Sequence, residues 1–150
     1  MAILKRPWAG MLLPAGAAKT LSPIDDRKII KLDTLTGSIV TLPPALGSRR
    51  RYDFVVSVLA TSNSHIVKVA NAVDVMQGII FGTRIDVGNA VLGFATVAAS
   101  DTITLNRTTT GSVSLGEWLA LEDIAAGIWY VRGALSATGA AFATPFSATV

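Results

Sequence analysis

The feature that most constrains the fold is an alternation of apolar and polar residues within residues 100–131. Residues 101–105, 118–121 and 128–131 each place apolar side chains at every second position. A period of two is typical of half-buried strands, because successive side chains of a strand point to opposite faces of its sheet. The connections between these strands contain glycine, which takes the positive φ angles that tight turns require. The segment therefore predicts an antiparallel meander.

Further strands of this kind are predicted before and after the meander. Four of them precede residue 71, at residues 28–32, 38–42, 52–60 and 65–70. The last two flank a short polar turn and predict a hairpin. With weaker segments in residues 71–99 and 133–150, the chain carries about 8–10 short strands separated by regular turn signals. The sequence therefore predicts an all-β fold, an antiparallel β-sandwich or barrel-like domain formed by residues 24–150.

Residues 1–23 do not share this pattern. They contain three prolines and two glycines. Because proline removes a backbone donor and constrains the residue before it, neither a long helix nor a central strand fits here. The stretch is nevertheless too apolar for a solvated linker. It predicts an extended N-terminal arm, anchored by Trp8, Leu12 and Leu13, that becomes ordered on a neighbouring subunit or a partner. The alternative is an arm folded back over its own domain.

The composition indicates a protein that works in an assembly. Hydrophobic residues make up 51% of the 150 residues and charged residues 15%, against about 25% charged in typical soluble domains. A monomer so poor in charge exposes large apolar patches, which usually mark interfaces. The longest apolar run, residues 87–99, is shorter than the roughly 18–20 residues of a spanning helix, so no membrane contact is predicted. The chain has no cysteine, which excludes disulfides and thiolate metal sites.

Candidate catalytic and metal-ligating residues are few and scattered. The single histidine, His65, stands at a turn–strand boundary that is typical of a surface or edge residue, and it cannot hold a metal ion alone. Glu117 and Glu122 are candidates for the carboxylate pair that sugar hydrolysis needs, but such acids usually solvate a turn. The chain has no GxGxxG motif and no phosphate-binding loop. The sequence therefore predicts a protein that is not an enzyme, with no cofactor, catalytic residue or metal site.

The sharpest charge feature is the run Arg49, Arg50 and Arg51, immediately before a predicted strand. It indicates a contact with phosphate groups or with an acidic protein surface, and the alternative is a solvated strand entrance. The net charge is only +3, and no aromatic residue is interleaved with the arginines, so direct nucleic-acid binding is not favoured. We expect an acidic protein partner.

Three segments together resemble small structural proteins encoded by tailed bacteriophages. Residues 32–70 are similar to a pattern in which a strand ending in TLP-x-A-x-G leads into an aromatic-rich strand and a polar hairpin. Residues 100–139 resemble a TITLN-x-T-T-G…G…W-x-V-x-G pattern of virion proteins, and ATPFS follows at residues 143–147. The resemblance covers roughly half of the chain, in the order that the family shows. Many relatives carry Gly-Gly and Gly-Asp where this chain has Gly111-Ser112 and Gly116-Glu117, which affects the turns rather than the fold class.

The family that these segments resemble includes capsid decoration proteins, also called cement or head-stabilisation proteins. Such proteins sit on the outer surface of the head, commonly as trimers, and clamp neighbouring capsomers against internal DNA pressure. The resemblance implies a virion protein, made in the host cytoplasm, that forms a homotrimer and grips the major capsid protein through the arm and Arg49–Arg51. A receptor-binding or tail-fibre-like module of a phage tail is the alternative, since the same strand motifs occur in tail proteins.

Overall fold

The computed structural model describes residues 11–86, 88, 90–139 and 141–150. These residues form twelve strands and one turn of 3-10 helix at Pro23–Asp25. The strands, in chain order, are β1 Leu12–Pro14, β2 Ala18–Thr20, β3 Ile29–Leu32, β4 Ile39–Thr41, β5 Arg51–Val56, β6 His65–Lys68, β7 Val75–Arg84, β8 Val91–Ala95, β9 Thr102–Leu105, β10 Trp118–Ala125, β11 Ile128–Ala137 and β12 Phe146–Ser147.

The strands form two sheets around one core, which confirms the predicted all-β, sandwich-like fold. One sheet has seven strands in the order β1-β3-β5-β10-β11-β7-β8, and the other has five in the order β12-β9-β6-β4-β2. The core joins Phe54 and Trp129 of the larger sheet with Val67 and Ile103 of the smaller one, all at most 1% exposed. Burial of such side chains stabilises the fold by about 1.5–3 kcal/mol each.

The prediction of a purely antiparallel arrangement is wrong for half of the strand pairs. Five of the ten pairs are parallel, among them β3 with β5 and β4 with β6. From β1 to β6 the chain alternates between the two sheets, so each strand returns beside the strand two places earlier and runs in the same direction. The predicted hairpin of residues 52–70 is therefore absent, because β5 and β6 lie in different sheets. Side-chain alternation identifies a strand but does not identify its neighbour.

The predicted meander is correct in its second half. β10 and β11 form an antiparallel hairpin, whereas β9 lies in the five-stranded sheet between β12 and β6. β11 also pairs in parallel with β7. Gly78 has a φ of 152° there, and a Cβ at this position would overlap the backbone carbonyl of Val131. The close contact of these two strands therefore requires glycine.

The described part of the predicted arm, residues 11–23, lies against the domain itself. β1 pairs with β3 and β2 pairs with β4, so each forms one edge of a sheet. Ala15 and Leu21 belong to the core and are 3% and 2% exposed. This stretch has the folded-back arrangement rather than the extended one, because its apolar side chains find partners within the chain. Residues 1–10, which include Trp8, lie outside the described residues.

Candidate interaction surface

The outward face of the seven-stranded sheet is strongly apolar. Along its strands, buried side chains such as Phe54 and Leu119 alternate with outward ones such as Val55 and Trp118. On most soluble proteins the outward positions are polar, but here six strands contribute apolar side chains that are exposed or half-buried. We call this set the apolar face: Leu12, Ile29, Val55, Ile79, Phe81, Trp118 and Tyr130.

Backbone register arranges these side chains in rows that cross the sheet. Val55 is paired with Trp118, Trp118 with Ala134, and Ala134 with Phe81. Trp118 is 45% exposed and Phe81 is 55% exposed. One row therefore presents two large aromatic side chains to solvent, with only an alanine between them.

Trp118 separates two shallow grooves on the apolar face. One groove, of about 420 Å³, is lined by Leu12 and Val55 among others, and the second, of about 670 Å³, runs beside Phe81 and Tyr130. The indole lines both grooves. The indole therefore forms a ridge between the two grooves, and side chains of another apolar surface can fit into the grooves.

Four of the five charged side chains on the strands of this face occur in pairs of opposite sign, and the fifth, Lys31, stands at an outward position of β3. Arg51 donates to Asp53 at 2.8 Å, and the bond raises the pKa of Arg51. Arg132 lies 3.9 Å from Glu122, and its guanidinium carbon is 5.5 Å from the ring centre of Tyr130. Both ion pairs are partly exposed and contribute at most about 1 kcal/mol each. Because Lys31 forms no ion pair with another described residue, the strands give the face a net charge of +1.

A buried carboxylate holds the loop that carries the predicted arginine run. Asp123 is 0% exposed. It accepts hydrogen bonds from the backbone N–H groups of Leu46, Gly47 and Ser48 at 3.1, 2.6 and 3.0 Å, and from the Ser48 hydroxyl at 2.6 Å. Gly47 and Arg49 have φ angles of 72° and 60°, and such turns let consecutive N–H groups converge on an anion. Burial alone would raise the pKa of Asp123, but these hydrogen bonds outweigh it and lower the pKa.

The three arginines differ in what they can offer a partner. Arg51 is bound to Asp53 on the apolar face. Arg49 is exposed and Arg50 is half-buried, and neither forms an ion pair with another described residue. The structure therefore leaves Arg49 and Arg50, at the entrance to β5, as the members of the run with unpaired charge.

The three predicted apolar anchors of the arm differ in their exposure. Leu12 is 61% exposed and lies at the edge of the apolar face, whereas Leu13 packs against the core. Trp8 lies outside the described residues. Of the three, Leu12 alone is shown to be available to a partner.

The centre of this surface was not predicted from the sequence. It consists of Ile79, Phe81, Trp118 and Tyr130. These residues lie up to 51 positions apart in the chain and meet only because β11 pairs with both β7 and β10. A local signal was present, since β7 and β10 carry apolar residues on both of their faces. That pattern marks a strand that is covered on both sides.

His65 has a structural position. Its Nδ1 accepts a hydrogen bond from the Ser38 backbone N–H, and its Nε2 faces the Val58 carbonyl oxygen as donor, both at 2.9 Å. The residue is 0% exposed, and burial lowers the pKa of its imidazole. The prediction of a surface or edge position for His65 is therefore wrong, because the ring bridges two backbone segments inside the fold.

Glu117 and Glu122, the candidate carboxylate pair, have separate roles. Glu117 accepts hydrogen bonds from the backbone N–H groups of residues 112, 113 and 114 and from the Ser136 hydroxyl. Glu122 is half-buried and faces Arg132 on the apolar face. Glu117 therefore shapes a loop, and Glu122 belongs to the charge pairs of the apolar face.

Comparison with known proteins leaves the surface as the main evidence on function. None of the family models, curated proteins or solved structures compared with the chain matches it. Within the described residues, no cluster of three or more His, Cys, Asp or Glu side chains is placed to hold a metal ion. No helix in that part of the chain is long and apolar enough to cross a membrane.

Proposed function

We propose that this protein is a structural virion protein that decorates the outer surface of a tailed-phage capsid. It acts as an oligomer, with a trimer expected, and clamps neighbouring capsomers by binding the major capsid protein. The proposal joins the phage-like sequence segments to one structural observation, the breadth of the apolar face.

The apolar face carries the proposal because a surface of this kind marks a protein that functions by contact. Contiguous exposed apolar patches larger than a few hundred Å² are rare on monomeric soluble proteins and indicate interaction sites. Trp118, Tyr130 and the partly stacked Arg132 are residue types that anchor protein interfaces. All three lie beside the larger groove of the face.

The interior supports a mechanical role. His65, Glu117 and Asp123 are buried, and each fixes loop or strand-end backbone through two or more hydrogen bonds. Buried polar groups that are fully bonded make a structure rigid. A rigid two-sheet domain suits a clamp, since it can transmit load between its contacts without opening.

Arg49 and Arg50 provide a second contact, suited to an acidic patch on the major capsid protein. Asp123 fixes the backbone of the loop before them. A loop that is already ordered loses less conformational freedom on binding, which favours affinity. Electrostatic attraction at such a site increases the association rate and weakens as salt screens it.

Co-sedimentation with capsid shells that lack the protein tests this proposal. Wild-type protein is expected to pellet with the shells, and the double variant Arg49→Glu/Arg50→Glu is expected to pellet at least tenfold less at low salt. The matched control is Lys19→Glu/Lys68→Glu, which makes the same change of charge in the five-stranded sheet. Wild-type protein that stays in the supernatant would contradict the decoration function, and equal loss in both double variants would contradict the role of the loop.

A receptor-binding module of a phage tail is the second candidate, favoured by the exposed aromatic cluster of Phe81, Trp118 and Tyr130. Exposed aromatic rings can stack on sugar rings, but sugars also need several hydrogen-bonding groups. The larger groove offers few polar side chains, chiefly those of Tyr130 and Arg132. Binding of host-cell polysaccharide that is lost in Trp118→Ala, together with no binding to shells, would favour this second function.

A further inference from the structure

We infer that the apolar face is the surface on which copies of this chain meet, so that its occupant is a second copy of the chain. The inference rests on the proposed function in that both require an assembly, and it adds the location of the subunit contact. In this arrangement the loop with Arg49 and Arg50 stays accessible and provides the contact with the capsid.

The extent of the face fits an interface between subunits. The six strands that contribute to the face are spaced about 4.8 Å apart and span about 24 Å, and three rows of outward side chains with their margins cover about 20 Å along the strands. This gives a surface of about 480 Å², against the roughly 800 Å² per partner of a stable interface. The face can therefore supply the centre of an interface between two copies, and side chains at its rim supply the rest.

The charge pattern favours an identical partner over a strongly charged one. The face carries Lys31, Arg51 and Arg132 against Asp53 and Glu122, so its net charge is only +1 and two copies of it repel each other weakly. Asp53 and Arg132 lie in one register row on either side of Ala120. A second copy turned over about an axis parallel to β10 would therefore place Arg132 opposite Asp53, and such a two-fold contact closes a dimer in place of the trimer that the resemblance implies. An acidic capsid surface would find a net charge of only +1 spread over this face, whereas it would find two adjacent positive charges at Arg49 and Arg50.

The arrangement of large and small side chains gives the face a shape that packs well on a similar face. Trp118 and Phe81 project from the row in which Ala134 separates them. A groove flanks Trp118 on each side. Sheets that pack face to face interdigitate side chains in this way, at a separation of about 10 Å.

Light scattering on the full-length protein after size exclusion tests the inference. We expect a multiple of the 15.6 kDa chain mass for the wild type, and a mass near that of one chain for Trp118→Glu and Phe81→Glu. The matched controls are Ile24→Glu and Val73→Glu, which change apolar side chains that are 82% and 80% exposed outside the face. These controls are expected to keep the wild-type mass. Circular dichroism must show that each variant keeps its strands.

Arg132→Glu provides a variant that keeps all the apolar side chains. It places a carboxylate opposite Asp53 of the second copy, so the dissociation constant of the oligomer is expected to rise at least tenfold at low salt. The effect should shrink as salt is added, because screening weakens repulsion between copies. If the substitution disturbed the fold instead, added salt would not restore the affinity between the copies.

The outcomes separate the inference from the proposed function. A wild-type protein that is monomeric at all concentrations, or face variants that remain oligomeric, would overturn the subunit contact. Oligomers that dissociate in the face variants but never bind shells would support the contact and overturn the decoration function. Face variants that remain oligomeric but lose shell binding would assign the apolar face to the capsid instead.

Discussion

The loop before β5 depends on one buried carboxylate, and replacing Asp123 with asparagine should loosen it strongly. The carboxylate accepts four hydrogen bonds, three of them at Oδ2 and one, from Gly47, at Oδ1. Asparagine has a single oxygen. In its best orientation this oxygen replaces Oδ2, and the side-chain NH₂ then faces the Gly47 N–H, which loses its acceptor.

The expected cost follows from these contacts. A hydrogen bond to a charged group contributes about 1.5–3 kcal/mol, and a buried N–H without a partner costs about 1–3 kcal/mol. The neutral side chain is easier to bury than the charge, which offsets part of the loss. We expect Asp123→Asn to lower the free energy of unfolding by about 2–4 kcal/mol. For a domain of this size that corresponds to a fall in Tm of about 5–15 °C.

Urea unfolding at pH 7 measures this cost, and Asp53→Asn is the matched control. The control makes the same type of substitution at a partly exposed site, where the main partner of Asp53 is the Arg51 side chain. The control should lose at most about 1 kcal/mol. Equal losses in the two variants would refute the reasoning that burial and backbone donors make Asp123 important.

The pH dependence gives a second check. The folded-state pKa of Asp123 lies below 3.8, so its contribution to stability is present above pH 3.8 and is lost as pH falls through the folded-state pKa. The difference in free energy of unfolding between wild type and Asp123→Asn should therefore shrink in acid. A difference that stays constant down to complete acid unfolding would show that the charge of Asp123 does not stabilise the loop.

Three further predictions concern the fold. Burial lowers the pKa of His65 below 6.5, so its contribution to the free energy of unfolding is full above pH 6.5 and is lost as pH falls through the folded-state pKa. Urea unfolding from pH 8 to pH 5 should therefore show a falling stability, and His65→Gln should show a flatter pH profile. Glu117→Gln should lower the free energy of unfolding by about 2–4 kcal/mol, measured by urea unfolding, because three backbone N–H groups share its carboxylate; a loss below about 0.5 kcal/mol would contradict this role. Deletion of residues 11–20 should unfold the domain in circular dichroism, since it removes β1, β2 and buried Ala15; a deletion variant that keeps the circular dichroism and Tm of the wild type would show that the two edge strands are dispensable.

The strands themselves could be predicted from the sequence because their signal is local. In β5, Tyr52, Phe54 and Val56 occupy every second position, and all three are buried as this period requires. The hairpin of β10 and β11 could also be predicted, since its two strands are consecutive and separated by a short turn around Gly127. The all-β class follows from such segments without any knowledge of how they pair.

Pairing and direction were decided only by the tertiary structure. β5 has the same alternation whether its neighbour is β6, as predicted, or β3 and β10, as observed. Four of the five parallel pairs arise because the chain passes to the other sheet at every connection from β1 to β6, and the fifth joins β7 to β11. No single segment of the sequence contains this information. The same holds for residues 11–23, because their local sequence pattern does not distinguish packing on another subunit from packing on their own core.

The candidate surface shows the same division between local and distant information. The sequence by itself determined that the chain is rich in apolar residues, poor in charge and built of strands, and therefore that it presents apolar surface to something. Only the tertiary structure placed Phe81 and Trp118 in one row and paired Arg51 with Asp53, while Arg49 and Arg50 form no ion pair within the described part of the chain. The physical reason is that side-chain periodicity is a property of a few adjacent residues, whereas a surface is formed by register between strands far apart in the chain.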